Sequence, residues 1–319
     1  MPEQESGRGR TAQSPREMPR KAWRDILLRT WNESSTDNVG LISAGVAFYG
    51  FLAFVPTLAA LVLCYGLFAD PSTIADHLRS LFRLLPEEAA RLIGEQLLSV
   101  TNSGAGKKGF GLVASFALSL YGAMNGASAI ITAVNIAYDE EESRSFIKLT
   151  GLAGLITIGL LIAGVVAIFA IAALAFLEQL LPGAPGIVIT AIRVGFWLLT
   201  ALAASMILSM IYRYAPDRHH AQWRWLTPGS VVATIGWLAV SLGFGIYAAN
   251  FGNYGATYGA LSAVVVTLMW LYLSAYILIL GAELNSEMEH QTAEDTTVGR
   301  PKPMGERQAY VADTVGKVP

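Results

Sequence analysis

Residues 225–282 read WLTPGSVVATIGWLAVSLGFGIYAANFGNYGATYGALSAVVVTLMWLYLSAYILILGA, 58 positions without one Asp, Glu, Lys or Arg. A bilayer core roughly 30 Å thick is crossed by about 20 apolar residues in a helix, so this stretch is long enough for two crossings. Its only interruption is NFGNYGATYG at 250–259, rich in glycine and asparagine, which reads as a tight turn. Residues 39–69 and 110–138 are uncharged as well. With 53% hydrophobic and 14% charged residues, against roughly 25% charged in soluble domains, the chain falls outside the soluble class.

Working outward gives about six spans, near 39–68, 110–138, 149–177, 187–212, 226–249 and 258–282. The fold class expected is an all-α, polytopic membrane helical bundle. Residues 1–20 are rich in Arg, Pro, Ser, Gln and Glu and read as a disordered tail, as does 289–319. Between them lie an interfacial helix over 21–38 and a six-span domain over 39–288. In the first of these, Trp23, Ile26, Leu27 and Trp31 share a face suited to the headgroup region, and Asp37 or Asn38 suits a cap for the next helix. The long connection 70–109 carries two apolar stripes, Ile74, Leu78, Leu81, Phe82 and Leu85, then Leu92, Ile93 and Leu97, and predicts two short amphipathic helices. The first 38 residues lack the apolar core of a cleavable signal, so the first span is expected to act as an uncleaved anchor. The single Cys64 excludes an intramolecular disulfide framework. No internal repeat is visible.

Lysine and arginine set the orientation. Sixteen fall on the segments that share a side with the termini and six on the other. The expectation is a plasma-membrane protein with both ends in the cytoplasm.

The most informative polar pattern is in the second span. Tyr121, Asn125, Ser128, Thr132, Asn135 and Asp139 fall within an arc of about 80° at 100° per residue. Polar groups are costly against lipid, so the stripe is expected to face protein or water. It reads either as the wall of a polar cavity or as hydrogen bonding that joins helices. Gly40, Ser43, Ala47 and Gly50 make a small face on the first span. Gly229, Ala233, Gly236 and Gly243 make another on the fifth, fit for close packing or for a hinge. Glu283, at the end of the sixth span, is the acid nearest the core and reads as a proton-coupling or headgroup-contact residue, or simply as a helix end. Arg144 and Arg193 suit interface anchoring or lipid phosphate contact.

Enzyme signatures are missing. His77, His219, His220 and His290 have no metal-ligand spacing. The stretch 104–109, GAGKKG, lacks the first glycine and the hydroxyl residue of a phosphate loop. No cofactor is expected. Membrane lipids are the expected partners and nucleic acid is not, because anionic lipid is the polyanion nearest the basic N-terminal segment.

Several stretches resemble the YihY/BrkB family of bacterial inner-membrane proteins. These are Asp37-Asn38 with Ser43 to Tyr49 and Pro56; Asn135 to Tyr138 with Arg144-Ser145-Phe146; and Tyr212 to Pro216, Trp225, Pro228-Gly229 and Trp237. Further on come Tyr247, Asn250-Phe251, Tyr254, Tyr258-Gly259, Trp270 to Tyr272 and Gly281 to Asn285. The similarity covers roughly residues 23–286. Ala53 departs from it, standing where the family often has serine. The resemblance implies a six-span inner-membrane protein and no established activity. The family has carried a ribonuclease name, for which this sequence offers no nuclease site. Its recurring polar positions match Asn135, Arg144, Asn250, Glu283 and Asn285; Asn135 belongs to the candidate cavity stripe, and the other four are grouped with Arg193 as interface or gating candidates.

Two functions compete. One is a transporter or flippase-like protein for a lipid or amphiphilic metabolite. The other is a scaffold in envelope maintenance that recruits partners through its tails or outer loop. A ribonuclease is disfavoured, and homo-oligomerisation stays open.

Overall fold

A computed structural model describes residues 7–68, 108–181, 183–250 and 260–319. The helices run α1 Arg20–Thr36, α2 Val39–Phe68, α3 Lys108–Ala137, α4 Phe146–Gln179, α5 Gly186–Tyr214, α6 Trp223–Asn250, α7 Ala260–Glu289 and a short α8 Tyr310–Asp313. The amphipathic loop and the glycine-rich turn fall, but for their ends, outside the described residues. No strand occurs among the described residues, where Ala221 and Thr297 form an isolated bridge.

Helices α3 to α7 each hold a stretch long and apolar enough to cross a membrane. Helix α2 is 30 residues long, and its described side chains over Val39–Ala53 are apolar enough to join them. The architecture is therefore the all-α membrane bundle. In space the six long helices follow the order α4, α3, α2, α7, α6, α5, and α4 and α5 touch little although a short turn joins them. Both are lined along their outer sides with exposed apolar side chains, Leu155, Ile162, Phe169, Leu198 and Leu202 among them. Such surfaces suit hydrocarbon rather than water.

Close approach fixes the central pairs. A Cβ placed on Gly229 of α6 would stand 2.2 Å from the Gly281 carbonyl oxygen of α7, and one on Gly236 would stand 3.1 Å from Ile277 Cγ2. A Cβ on Gly126 of α3 would meet Ala53 of α2 at 3.3 Å. Small residues let backbones approach in this way where no water-driven force joins helices. The α6 face is thus a packing face at Gly229 and Gly236, whereas Gly243 has open space.

One expectation needs correction. The tails are ordered over their described residues and form a cap on the end of the bundle where both termini lie, hereafter the tail end. Residues 15–17 form a 3-10 turn, and Val311, Ala312 and Arg307 are buried. Arg10 donates to the carbonyls of Gln291 at 3.0 Å and Gly316 at 2.7 Å. Arg307 donates to the carbonyls of Ala312, Ala293 and Glu294. Arginine forks bridging distant carbonyls order a polar segment that has few apolar residues of its own. Helix α1 packs on the bundle by one face and leaves part of its expected headgroup face outward. It buries Ala22, Asp25, Ile26, Arg29, Thr30 and Ser34, largely against α7, and leaves Leu27, Leu28 and Trp31 exposed. Its packed face is mixed, with Ala22 and Ile26 beside Asp25 and Arg29, and Arg29 meets Glu287 there. The break between α1 and α2 is made by Asn38 at φ 54°, a left-handed conformation that asparagine tolerates.

Candidate functional site

The six long helices frame an open-sided cavity of about 440 Å³. That lies within the range of roughly 300–1,000 Å³ common for small-molecule sites. Its wall takes Val46, Ala47, Gly50 and Ala53 from α2, Ala123, Gly126, Ala127 and Ile130 from α3, and Thr157, Leu160 and Leu161 from α4. Ala204, Ile207, Leu208 and Ile211 of α5, Ala233, Thr234 and Trp237 of α6, and five residues of α7, Leu271, Ser274, Ala275, Ile277 and Leu278, complete it. The small faces of α2 and α3 hold the helices close while leaving space between them. The bulky lining comes from α4, α5 and α7.

The few polar groups in the wall are already bonded within it. Thr157 donates to the Ala153 carbonyl at 2.7 Å, and Thr234 to the Ser230 carbonyl at 2.8 Å. Trp237 Nε1 donates to Ser274 Oγ at 3.1 Å. An occupant therefore meets hydrocarbon, which favours an apolar body over a charged or strongly hydrated one.

The stripe expected to line a polar cavity is placed elsewhere. Tyr121, Asn125 and Thr132 are exposed on the outer side of α3, and Ser128 is half-buried. None of the four lines the cavity. Thr132 donates to the Ser128 carbonyl at 3.1 Å. The reason is that α3 gives its opposite, small face to α2, with Ala123, Gly126, Ala127 and Ala133 turned inward.

Asn135 alone of the stripe is buried, and it staples two loops. Its Nδ2 donates to Glu142 at 2.9 Å, and its Oδ1 accepts from the Asp217 backbone N–H at 2.8 Å. Arg144 completes the clamp, bidentate to Glu142 at 2.6 and 2.7 Å and donating to the Ala215 carbonyl at 2.8 Å. The Arg144 bonds hold the Glu142 carboxyl below its ordinary range. Partial burial would raise Asp217, but the Ser143 hydroxyl and amide, with Arg144, bring it below its ordinary range. Asn135→Leu is expected to lower stability by about 1–3 kcal/mol, because the Asp217 N–H loses its partner in a half-buried place. Asn125→Leu on the outer face is expected to change it by less than about 0.5 kcal/mol. Thermal unfolding of the two variants in detergent checks the contrast.

Arg193 makes a bidentate pair with Glu178 at 2.7 and 2.8 Å, which joins the end of α4 to the start of α5. Asn285 is a clamp. Pro228, inside α6, cannot donate a backbone bond. There, Asn285 accepts from the Gly229 N–H at 2.8 Å and donates to the Leu226 carbonyl at 3.0 Å. The Asn250 side chain lies outside the described residues.

Glu283 is 2% exposed, and one of its carboxyl oxygens has no hydrogen-bond partner among the described residues. The Asp37 carboxyl faces it. Burial, and then the Asp139 charge, push Asp37 up to about 6. Among the described residues no group of three His, Cys, Asp or Glu is placed to hold a metal ion. The sequence reading missed Asp37 as a partner, taking it for a helix cap, and missed the cavity wall, whose residues carry no polar signal.

The chain is similar in sequence to known proteins. A protein named ribonuclease-like YfkH, from Bacillus subtilis, is 32% identical over 246 residues, covering 76% of this chain and 84% of that one. A UPF0761 membrane protein of Xanthomonas oryzae pv. oryzae is 36% identical over 93 residues, which is 29% of this chain and 22% of that one. One from Xanthomonas campestris pv. campestris matches over the same extent. No solved structure matches. The match to a described family runs from residue 30 to residue 305 and so takes in the six long helices, the cavity and the Asp37–Glu283 pair: the chain belongs to the family described as virulence factor BrkB.

Proposed function

We propose that the chain is a transporter or flippase-like protein for a lipid or amphiphilic metabolite, set in the bacterial inner membrane with both termini in the cytoplasm. One observation carries this reading: a cavity of about 440 Å³, framed by all six long helices, whose polar groups are bonded within its own wall. Such a wall suits an acyl chain. Helices α4 and α5 touch little, and the outer sides of both suit lipid, so the seam between them is the assigned route from the bilayer. The excess of lysine and arginine at the tail end supports the orientation. The scaffold reading loses ground because the described parts of both tails are tied into the bundle rather than free to recruit. The reading assigns no chemical step to the protein.

Filling the cavity tests it. Ala275→Phe and Ala127→Phe place rings in the open space. In proteoliposomes, each is expected to slow transfer of a fluorescent phospholipid between leaflets at least about tenfold, an effect of about 1.4 kcal/mol. A photoactivatable fatty acid is expected to label the wild-type wall and not the filled variants. Wild-type vesicles that move lipid no faster than empty ones, with no labelling of the wall, would sink the reading.

A further inference from the structure

Three features between the cavity and the tail end belong to no role assigned so far. Glu283 lies five residues beyond Leu278 of the cavity wall, about 7.5 Å further along α7. Ser43 is fully buried on α2, one turn below the wall residue Ala47, and its hydroxyl has no partner among the described residues. Asp37, just before α2, faces Glu283. The two orphaned oxygens thus sit on neighbouring helices, on the tail-end side of an apolar chamber.

The charges around the pair are mostly acidic. From α1 comes Glu33, from the turn after α3 Asp139, and from α7 itself Glu287, while Arg29 and His290, just past α7, stand beside Glu33. The one nearby arginine is committed elsewhere. Arg29 pairs with Glu287 and donates to the backbone carbonyls of Glu287 at 3.1 Å and Lys317 at 3.3 Å. No cation pairs with Glu283 among the described residues. Two carboxyls facing one another, Glu283 buried and Asp37 half-buried, disfavour the doubly ionised state, and an unpaired ionisable group inside a membrane bundle marks a functional place. A divalent metal is disfavoured, because no third ligand is in place among the described residues.

We propose that Asp37 and Glu283 form a proton-binding site, holding one proton between two carboxyls beneath the cavity. On the transport reading above, this is where proton binding is coupled to the occupant; that clause rests on the reading, and the binding of the proton does not. Coupled carboxyls titrate as a pair, so the site gains and loses its proton as a unit.

The full chain in detergent, without lipid substrate, tests the site. Infrared difference spectra are taken across the range around 6 where Asp37 titrates. The wild type is expected to keep the C=O stretch of a protonated carboxyl at neutral pH. That band is expected to shift on carbon-13 labelling of glutamate and to vanish in Glu283→Gln. Asp37→Asn is expected to move the pH at which it disappears. The folded pair keeps a proton that the unfolded chain has already lost, so wild-type unfolding temperature is expected to fall as pH rises from about 4 to about 6. In Glu283→Gln that fall is expected to flatten. A wild-type spectrum without the protonated band at neutral pH overturns the site, and so does a band indifferent to glutamate labelling, even if Glu283→Gln fails to fold. Lipid transfer without the band sinks the proton site alone. The band without lipid transfer sinks the transport reading alone.

Discussion

Gly229→Ala is expected to yield no folded bundle, or one that unfolds tens of degrees below the wild type. The new methyl carbon would sit 2.2 Å from the Gly281 carbonyl oxygen and 2.4 Å from Asn285 Oδ1. The first obstacle is backbone, so no side-chain rotation relieves it, and α6 must move away from α7. The move also breaks the Asn285 clamp, leaving the Gly229 N–H and the Leu226 carbonyl without partners beside Pro228. Overpacking at about 1–3 kcal/mol and each buried orphan at about 1–3 kcal/mol add to a loss comparable with a domain's whole stability. Gly243→Ala, on the same face of the same helix, meets nothing within 4 Å. It is expected to be neutral or to stabilise by up to about 1 kcal/mol, because alanine is the better helix former. Size-exclusion profiles and thermal unfolding in detergent read both. Equal tolerance of the two changes would contradict the close crossing.

Arg218→Met carries the second large effect. Arg218 and Glu289 are paired at 2.7 Å, with side chains 2% and 0% exposed. Thr296 donates to the same carboxylate at 2.6 Å, and the guanidinium lies over the Tyr138 ring at 4.9 Å from its centre. Removing the arginine strands a buried carboxylate, at a cost of about 3–5 kcal/mol. The double variant Arg218→Met with Glu289→Met removes both charges and is expected to recover most of that loss, since apolar replacements of buried pairs are commonly neutral. The exposed Arg193–Glu178 pair offers the comparison, with Arg193→Met expected to change the unfolding temperature far less than Arg218→Met. A double variant no better than the single would show that the pair itself holds the cap.

Much of the bundle was legible because lipid imposes a one-dimensional rule. Apolar runs of sufficient length read as membrane helices, and those at 110–138, 149–177, 187–212, 226–249 and 258–282 lie largely on α3 to α7. The facing of α3 was not legible. Polarity argued that Tyr121, Asn125 and Thr132 turn inward, but close packing against α2 required the small face, and a helix has only one side to give. Asn135 kept its inward place because it lies at the tail end, where loop backbone supplies partners. Glu283 was legible as the acid nearest the core, whereas Asp37 looked like ordinary capping chemistry. Order in the tails had no local signature. Arg10 meets Gln291 and Gly316, and no window of sequence joins them.

The bond from Arg10 to the Gln291 carbonyl spans 281 positions. At roughly 5–20 residues per second of synthesis, the N-terminal segment waits about a quarter of a minute to a minute for its partner. Until Gln291 and Gly316 have left the ribosome, the two carbonyls that Arg10 bridges do not exist. The seal over the Asp37–Glu283 end is therefore the last part of the molecule to be completed, after the spans have entered the bilayer. A chain stalled or clipped before residue 290 would present an assembled set of spans with its base uncovered. Protease sensitivity of residues 7–19 should consequently report whether biogenesis has finished.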